Sequence, residues 1–179
     1  MELYGNPKLT GNERYFDKDD IIVTKTDLTG KITYGNRTFT NISGFKNEQE
    51  CLGVQHNIIR HPQMPRSVFE LLWETIKNGD EIFAYVINRA LNGDHYWVFA
   101  HVTPSFDNGG NIINYHSNRR VPNKDIINTH IKPLYSILME IEKKDSSQKQ
   151  GLANAMQKLS DVLKTENKTY SEFIFSLGV

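Results

Sequence analysis

The chain has 179 residues, and its 21 Lys+Arg balance its 21 Asp+Glu, so its formal charge is zero with histidines neutral. That length supports one domain with extensions, and the balanced, scattered charge gives no footprint for nucleic acid or an anionic membrane. A single cysteine, Cys51, excludes an internal disulfide, and no apolar run has the length of a signal peptide or a membrane span.

Residues 1–20 are polar, broken by Gly5, Pro7 and Gly11, and read as a cap leading into the fold. The apolar and β-branched pattern of 21–28 predicts a strand, Thr29-Gly30 a turn, and 31–36 the returning strand. From Asn36 the pattern suits short helical turns punctuated by Gly44, and 47–52 reads as another short helix stopped by Gly53. Residues 54–65 read as a loop bounded by prolines. The spacing of Val68, Phe69, Leu71, Leu72 and Ile76 predicts a helix over 66–77, ended by Asn78-Gly79. Three strands follow, over 81–90, 94–104 and 111–120, joined by turns at Leu91-Asn92-Gly93 and at 107–110. Strands on either side of a helical insert predict an α+β fold with an antiparallel sheet.

After Pro122 the period becomes helical. Residues 123–145 place Ile126, Ile127, Ile131, Leu134, Ile137, Leu138 and Ile141 on one stripe, with a kink expected at Pro133. A polar gap at 146–151 precedes a second helix near 152–168. Both stripes admit two readings: packing on their own domain, or an interface for a dimer or partner.

No motif marks catalysis. Cys51 lacks a recognisable His or Asn context, and there is no GxSxG, HExxH, CxxC or P-loop pattern. An enzyme is not expected. Trp97, Tyr96 and Phe99 read as packing in the fourth strand.

Several segments together resemble the PAS superfamily, and more narrowly the sensor domain of bacterial aerotaxis receptors. They are KTDLTGKITYGNRTF (25–39), ISGF (42–45), HNIIRHPQMP (56–65), FELLW (69–73) and NGDHYW (92–97), in order across 21–121. The resemblance implies a PAS fold, a five-stranded antiparallel sheet with short helices on one face and a pocket between. Residues 21–121 would form the sensor domain and 122–179 a C-terminal helical signalling or dimerisation extension. It further implies non-covalently held FAD, with the family's flavin-binding positions matched at Asn36, Arg60, His61, Trp73 and Asn88. Two positions depart from the family's pattern: Gln63 stands where the loop usually has an acidic residue, and Ile82-Phe83 where a Trp is usual.

The residues read alone leave alternatives open. Arg60 presents a planar fork suited to a phosphate or ring carbonyl, or to a surface salt bridge. His61 suits the flavin or its phosphates. Asn36 suits a ring edge or a helix N-cap. Trp73 suits packing beside a cofactor or plain core. Asn88, in a strand interior where Asn is depleted, is the better polar ligand. The chief alternative cofactor is haem b, as in an oxygen sensor. Six histidines (His56, His61, His95, His101, His116, His130) are candidates, His61 and His101 foremost. A cofactor-free PAS interaction module is the third reading. The expected setting is a stand-alone cytoplasmic protein, as a homodimer, handing its state to a membrane-bound chemotaxis transducer or another signalling protein.

Overall fold

The computed structural model describes residues 8–178. Five strands, β1 (Ile22–Thr26), β2 (Ile32–Gly35), β3 (Ile82–Arg89), β4 (His95–Phe106) and β5 (Ile112–Arg120), form one antiparallel sheet in the order β2-β1-β5-β4-β3. The expected α+β architecture stands. The first strand stops at Thr26 because Asp27 closes a turn, its carboxylate accepting from the Thr29 and Lys31 amides and the Thr29 hydroxyl.

Between β2 and β3 lie α1 (Arg37–Ser43), α2 (Glu48–Cys51), a 3-10 turn (His56–Ile59) and α3 (Arg66–Lys77). Helix α1 ends on Gly44 at φ 87°, a left-handed position that suits glycine. Helix α3 spans the predicted 66–77, with Val68, Leu72 and Ile76 buried.

The C-terminal segment starts at α4 (Lys124–Ile126), passes through a π-helical turn (Ile127–Ile131) and continues as α5 (Lys132–Lys144). The wider turn sits directly before Pro133, whose ring would clash with a carbonyl four residues back and which offers no N–H. Two further helices follow, α6 (Gln148–Glu166) and α7 (Tyr170–Ser176). The predicted gap at 146–151 is therefore mostly helix. Gly151 is there for contact rather than as a break, since a Cβ on it would lie 2.4 Å from the Glu142 carbonyl oxygen.

Strand alternation buries one face of the sheet along all five strands and the other chiefly over β3 and the start of β4. Helices α1 to α3 cover one. The other is covered by the C-terminal segment: Tyr135 stacks on Trp97 at 6.3 Å and donates to the Tyr85 carbonyl at 2.5 Å, and Phe175 packs edge-on against Phe83 at 4.7 Å. Ile131, Leu138 and Ile174 are fully buried. The C-terminal stripes pack within the chain, Tyr135 of α5 and Phe175 of α7 on the sheet and α6 against α3 and α5. Residues 8–20 form no regular element but tie to the β3–β4 hairpin, Thr10 N donating to Gly93 O and Arg14 N to His95 O. The first seven residues of the expected N-terminal cap lie outside the described residues.

Both sheet edges are partly engaged. Along β2, Ile32 N donates to Val54 O and Gly53 N to Ile32 O. Along β3, Arg60 bridges Asn88 and the Phe83 amide donates to the Ser171 hydroxyl.

Candidate functional site

The inner sheet face and α3 enclose a cavity of about 60 Å³. From α3 come Phe69, Leu72, Trp73 and Ile76, on one side of the helix by their three- and four-residue spacing. Alternate strand positions supply the opposite wall: Val86 and Asn88 from β3, Ala100 and Val102 from β4, Tyr115, Ser117 and Arg119 from β5, Thr24 and Thr26 from β1. Trp73 meets Tyr115 edge-on at 5.6 Å. The exposed wall is mostly apolar by area, with polar groups contributed by β1, β3, β5 and the 3-10 turn. Such a composition suits a small organic ligand.

Three of those polar groups are short of partners. Asn88 is only 3% exposed and lines the cavity. The buried hydroxyls of Thr26 and Ser117 and the Nη1 of Arg119 lack partners among the described residues. A buried polar atom without a partner costs about 1–3 kcal/mol, so three such groups around one space are a signal of use.

Arg119 is the unusual member. Its other terminal nitrogen donates to the Thr24 hydroxyl at 2.7 Å and lies 2.7 Å from His56 Nε2. Burial lowers its pKa to about 10, still far above neutrality. Burial, with the Arg119 charge second, drives the His56 pKa well below its ordinary value, so His56 is neutral and accepts from the guanidinium. No carboxylate lines the cavity among the described residues.

Of the residues expected from sequence, Asn88 and Trp73 meet at this cavity. Arg60 and His61 do not line it. They face an open cleft of about 560 Å³ between the 56–64 segment and α5, with Arg66 and Glu142. Arg60 touches the cavity wall from behind, its guanidinium 4.8 Å from the Phe69 ring centre and its Nη2 donating to Met64 O. His61 accepts from the Gln63 amide, and burial, with His95 and Arg89 nearby, lowers its pKa to about 4. Asn36 is committed to the fold. Its carboxamide oxygen accepts from Val23 N and Phe39 N, and its nitrogen donates to Ile21 O. The N-cap reading of Asn36 is the one the geometry uses.

The two histidines foremost for haem lie outside this cavity. His101 lies on the opposite sheet face, stacked on Phe83 at 4.2 Å and held by Glu81 at 2.7 Å, and His61 is in the cleft. His56 and His116 do reach the cavity, but Arg119 occupies the His56 Nε2 lone pair. Sequence reasoning missed Arg119 and passed over His56 as one histidine of six. Period-two alternation through Tyr115, Ser117 and Arg119 was the available signal, since it turns an arginine inward.

The cleft holds a second polar cluster. Glu142 of α5, only 8% exposed, accepts from the Arg66 amide at 3.1 Å and from the Ser67 amide and hydroxyl at 2.8 Å each, with Arg66 Nε at 3.5 Å. A carboxylate from the C-terminal extension thus caps the N-terminus of the cavity's helix.

Residues 32–119 match a protein family described as the PAS fold. The chain is 38% identical over 137 residues to the aerotaxis receptor of Escherichia coli (strain K12), a match covering 76% of this chain and 26% of the receptor. It is 25% identical over 99 residues to the nitrogen fixation regulatory protein of Klebsiella pneumoniae, covering 55% of this chain and 20% of that protein. The chain therefore spans about a quarter or less of the length of these relatives. Among solved structures, a light-oxygen-voltage domain studied with a flavin analogue superposes with a TM-score of 0.55 at 17% identity, over 65% of this chain and 87% of that one. The dark structure of the Aureochrome1 blue-light photoreceptor domain superposes at 0.53 with 23% identity, over 68% and 86%. These structural likenesses are likenesses of fold.

Proposed function

From the premise that residues 32–119 belong to the PAS-fold family, we propose that the chain is a redox sensor of the aerotaxis type. It holds a flavin, specifically FAD, in the cavity and passes the ring's redox state to a partner protein. The observation that carries this reading is Asn88, a buried carboxamide lining a slot whose exposed wall is mostly apolar. An amide offers both a donor and an acceptor, which the edge of a flavin ring also does. The 38% identity to an aerotaxis receptor supports the same reading.

The residues fit the ring's chemistry better than its size. About 60 Å³ is room for roughly five waters. A three-ring system enters only as the α3 side chains Phe69 and Trp73 give way. That requirement supplies a route outward. The N-terminus of α3 is capped by Glu142, so a displaced helix strains the hold on α5. Cofactor state would then bias how firmly the C-terminal helices dock. In this reading the partner, a membrane-bound chemotaxis transducer or another signalling protein, meets a surface whose exposure depends on that docking. The protein acts in the cytoplasm, as a homodimer, and as a sensor rather than a catalyst.

The test is an absorption spectrum of the purified protein before and after dithionite, with heat-released cofactor identified by chromatography. Flavin bands that bleach, with FAD in the eluate, are the expected outcome. A colourless protein, or a haem Soret band, would sink the reading.

A further inference from the structure

Arg119 is 3% exposed, its Nη1 has no partner among the described residues, and no acidic side chain lines the cavity it faces. Buried charges in folded proteins are ordinarily paired, because leaving water is costly for an ion. The other groups around this guanidinium are neutral: the Thr24 hydroxyl and His56, each engaged with Nη2. Its nearest aromatic, Phe39, lies 5.9 Å from the guanidinium carbon, far enough to contribute only a weak cation–π contact. The cavity therefore holds a fixed positive charge that no protein group compensates.

We propose that this cavity is a receptor for a flat organic anion, whose negative edge pairs with Nη1 of Arg119 and whose ring lies against Trp73 and Leu72. The unpartnered Ser117 and Thr26 hydroxyls line the same cavity and supply further donors. A planar carboxylate or a deprotonated ring amide matches a guanidinium fork, whereas a neutral amide of the same shape leaves the charge bare. This proposal deepens the flavin reading, since it rests on the cavity being a ligand site. It does not require the ligand to be a flavin. At about 60 Å³ the cavity is smaller than the roughly 150 Å³ that holds a benzene ring, so even one ring enters only as Phe69 and Trp73 give way.

The test compares benzoate with benzamide, two flat single rings differing in charge. Each is titrated into the full chain, freed of bound cofactor by dialysis, with tryptophan fluorescence and calorimetry as readouts. Benzoate is expected to bind at least tenfold tighter than benzamide. Arg119→Met should abolish that preference while benzamide binding persists, and Arg119→Lys should keep part of it. Equal binding of the two rings by the unaltered protein would overturn the proposal, as would full selectivity in Arg119→Met. The first comparison needs no variant, so it decides even if Arg119→Met fails to fold. Flavin in the eluate without charge selectivity would overturn the anion receptor and leave the flavin reading standing. Charge selectivity in a protein that carries no flavin would do the reverse.

Discussion

The two faces of one sheet both leave buried polar atoms unpaired, the Tyr85 hydroxyl on the outer face and Thr26, Ser117 and Arg119 around the inner cavity. On the outer face, Trp97 and Phe83 are covered by Tyr135 and Phe175, and the Tyr135 hydroxyl is given a backbone acceptor. On the inner face, Thr26, Ser117 and Arg119 surround a space with polar atoms left unpaired. Strands that alternate side chains send one set to each face, so the same five segments serve both. What distinguishes the inner face is that three of its unpaired groups surround one cavity, whereas the outer face is packed against the C-terminal segment. Substitutions on the two faces should therefore separate stability from binding.

The largest effect is expected on the outer face. Leu138→Ala removes a fully buried side chain from α5 and should cost about 2–5 kcal/mol in denaturant unfolding. A cost below about 1 kcal/mol would mean that the C-terminal helices are not held against the sheet as described. Glu142→Ala comes next, because it strips acceptors from two amides and a hydroxyl at the start of α3. A loss of about 2–4 kcal/mol is expected, with faster amide hydrogen exchange in both α3 and α6. Exchange that quickens in α3 alone would show that the cap does not couple the two regions. The smallest effect should come from the inner face. Thr26→Val replaces an unpartnered, buried hydroxyl by a methyl of the same shape, so stability should stay within about 1 kcal/mol of the original or rise. A clear loss would mean that the hydroxyl is already satisfied.

Much of the fold was legible because period and punctuation agreed. The 66–77 helix had both its apolar spacing and an Asn-Gly stop, and the three later strands were separated by glycine-containing turns. Helix α6 began earlier than expected because a glycine looks like a break in sequence, while Gly151 is a point of backbone contact with α5. Helix α7 escaped notice although Thr169 and Glu172 form a capping box, a signal the sequence does contain. The site was half legible. Asn88 stood out because a strand interior disfavours it, and Trp73 because it closed an apolar stripe. Arg60 and His61 sit across Phe69 from the cavity, and which side of a loop a residue takes is a tertiary matter. Arg119 looked like one cation in an Asn-Arg-Arg run, and only its inward register and the lack of a nearby acid reveal it.

The engagement of both sheet edges bears on how another chain can approach. An open β-strand edge invites a foreign strand to extend the ladder, which is a route to peptide capture and to aggregation alike. Here the 53–54 segment sits against β2, while Arg60 and Ser171 occupy donors and acceptors along β3. Strand addition would first have to evict the chain's own segments. A visiting protein is thus steered toward side-chain recognition on the helices and loops.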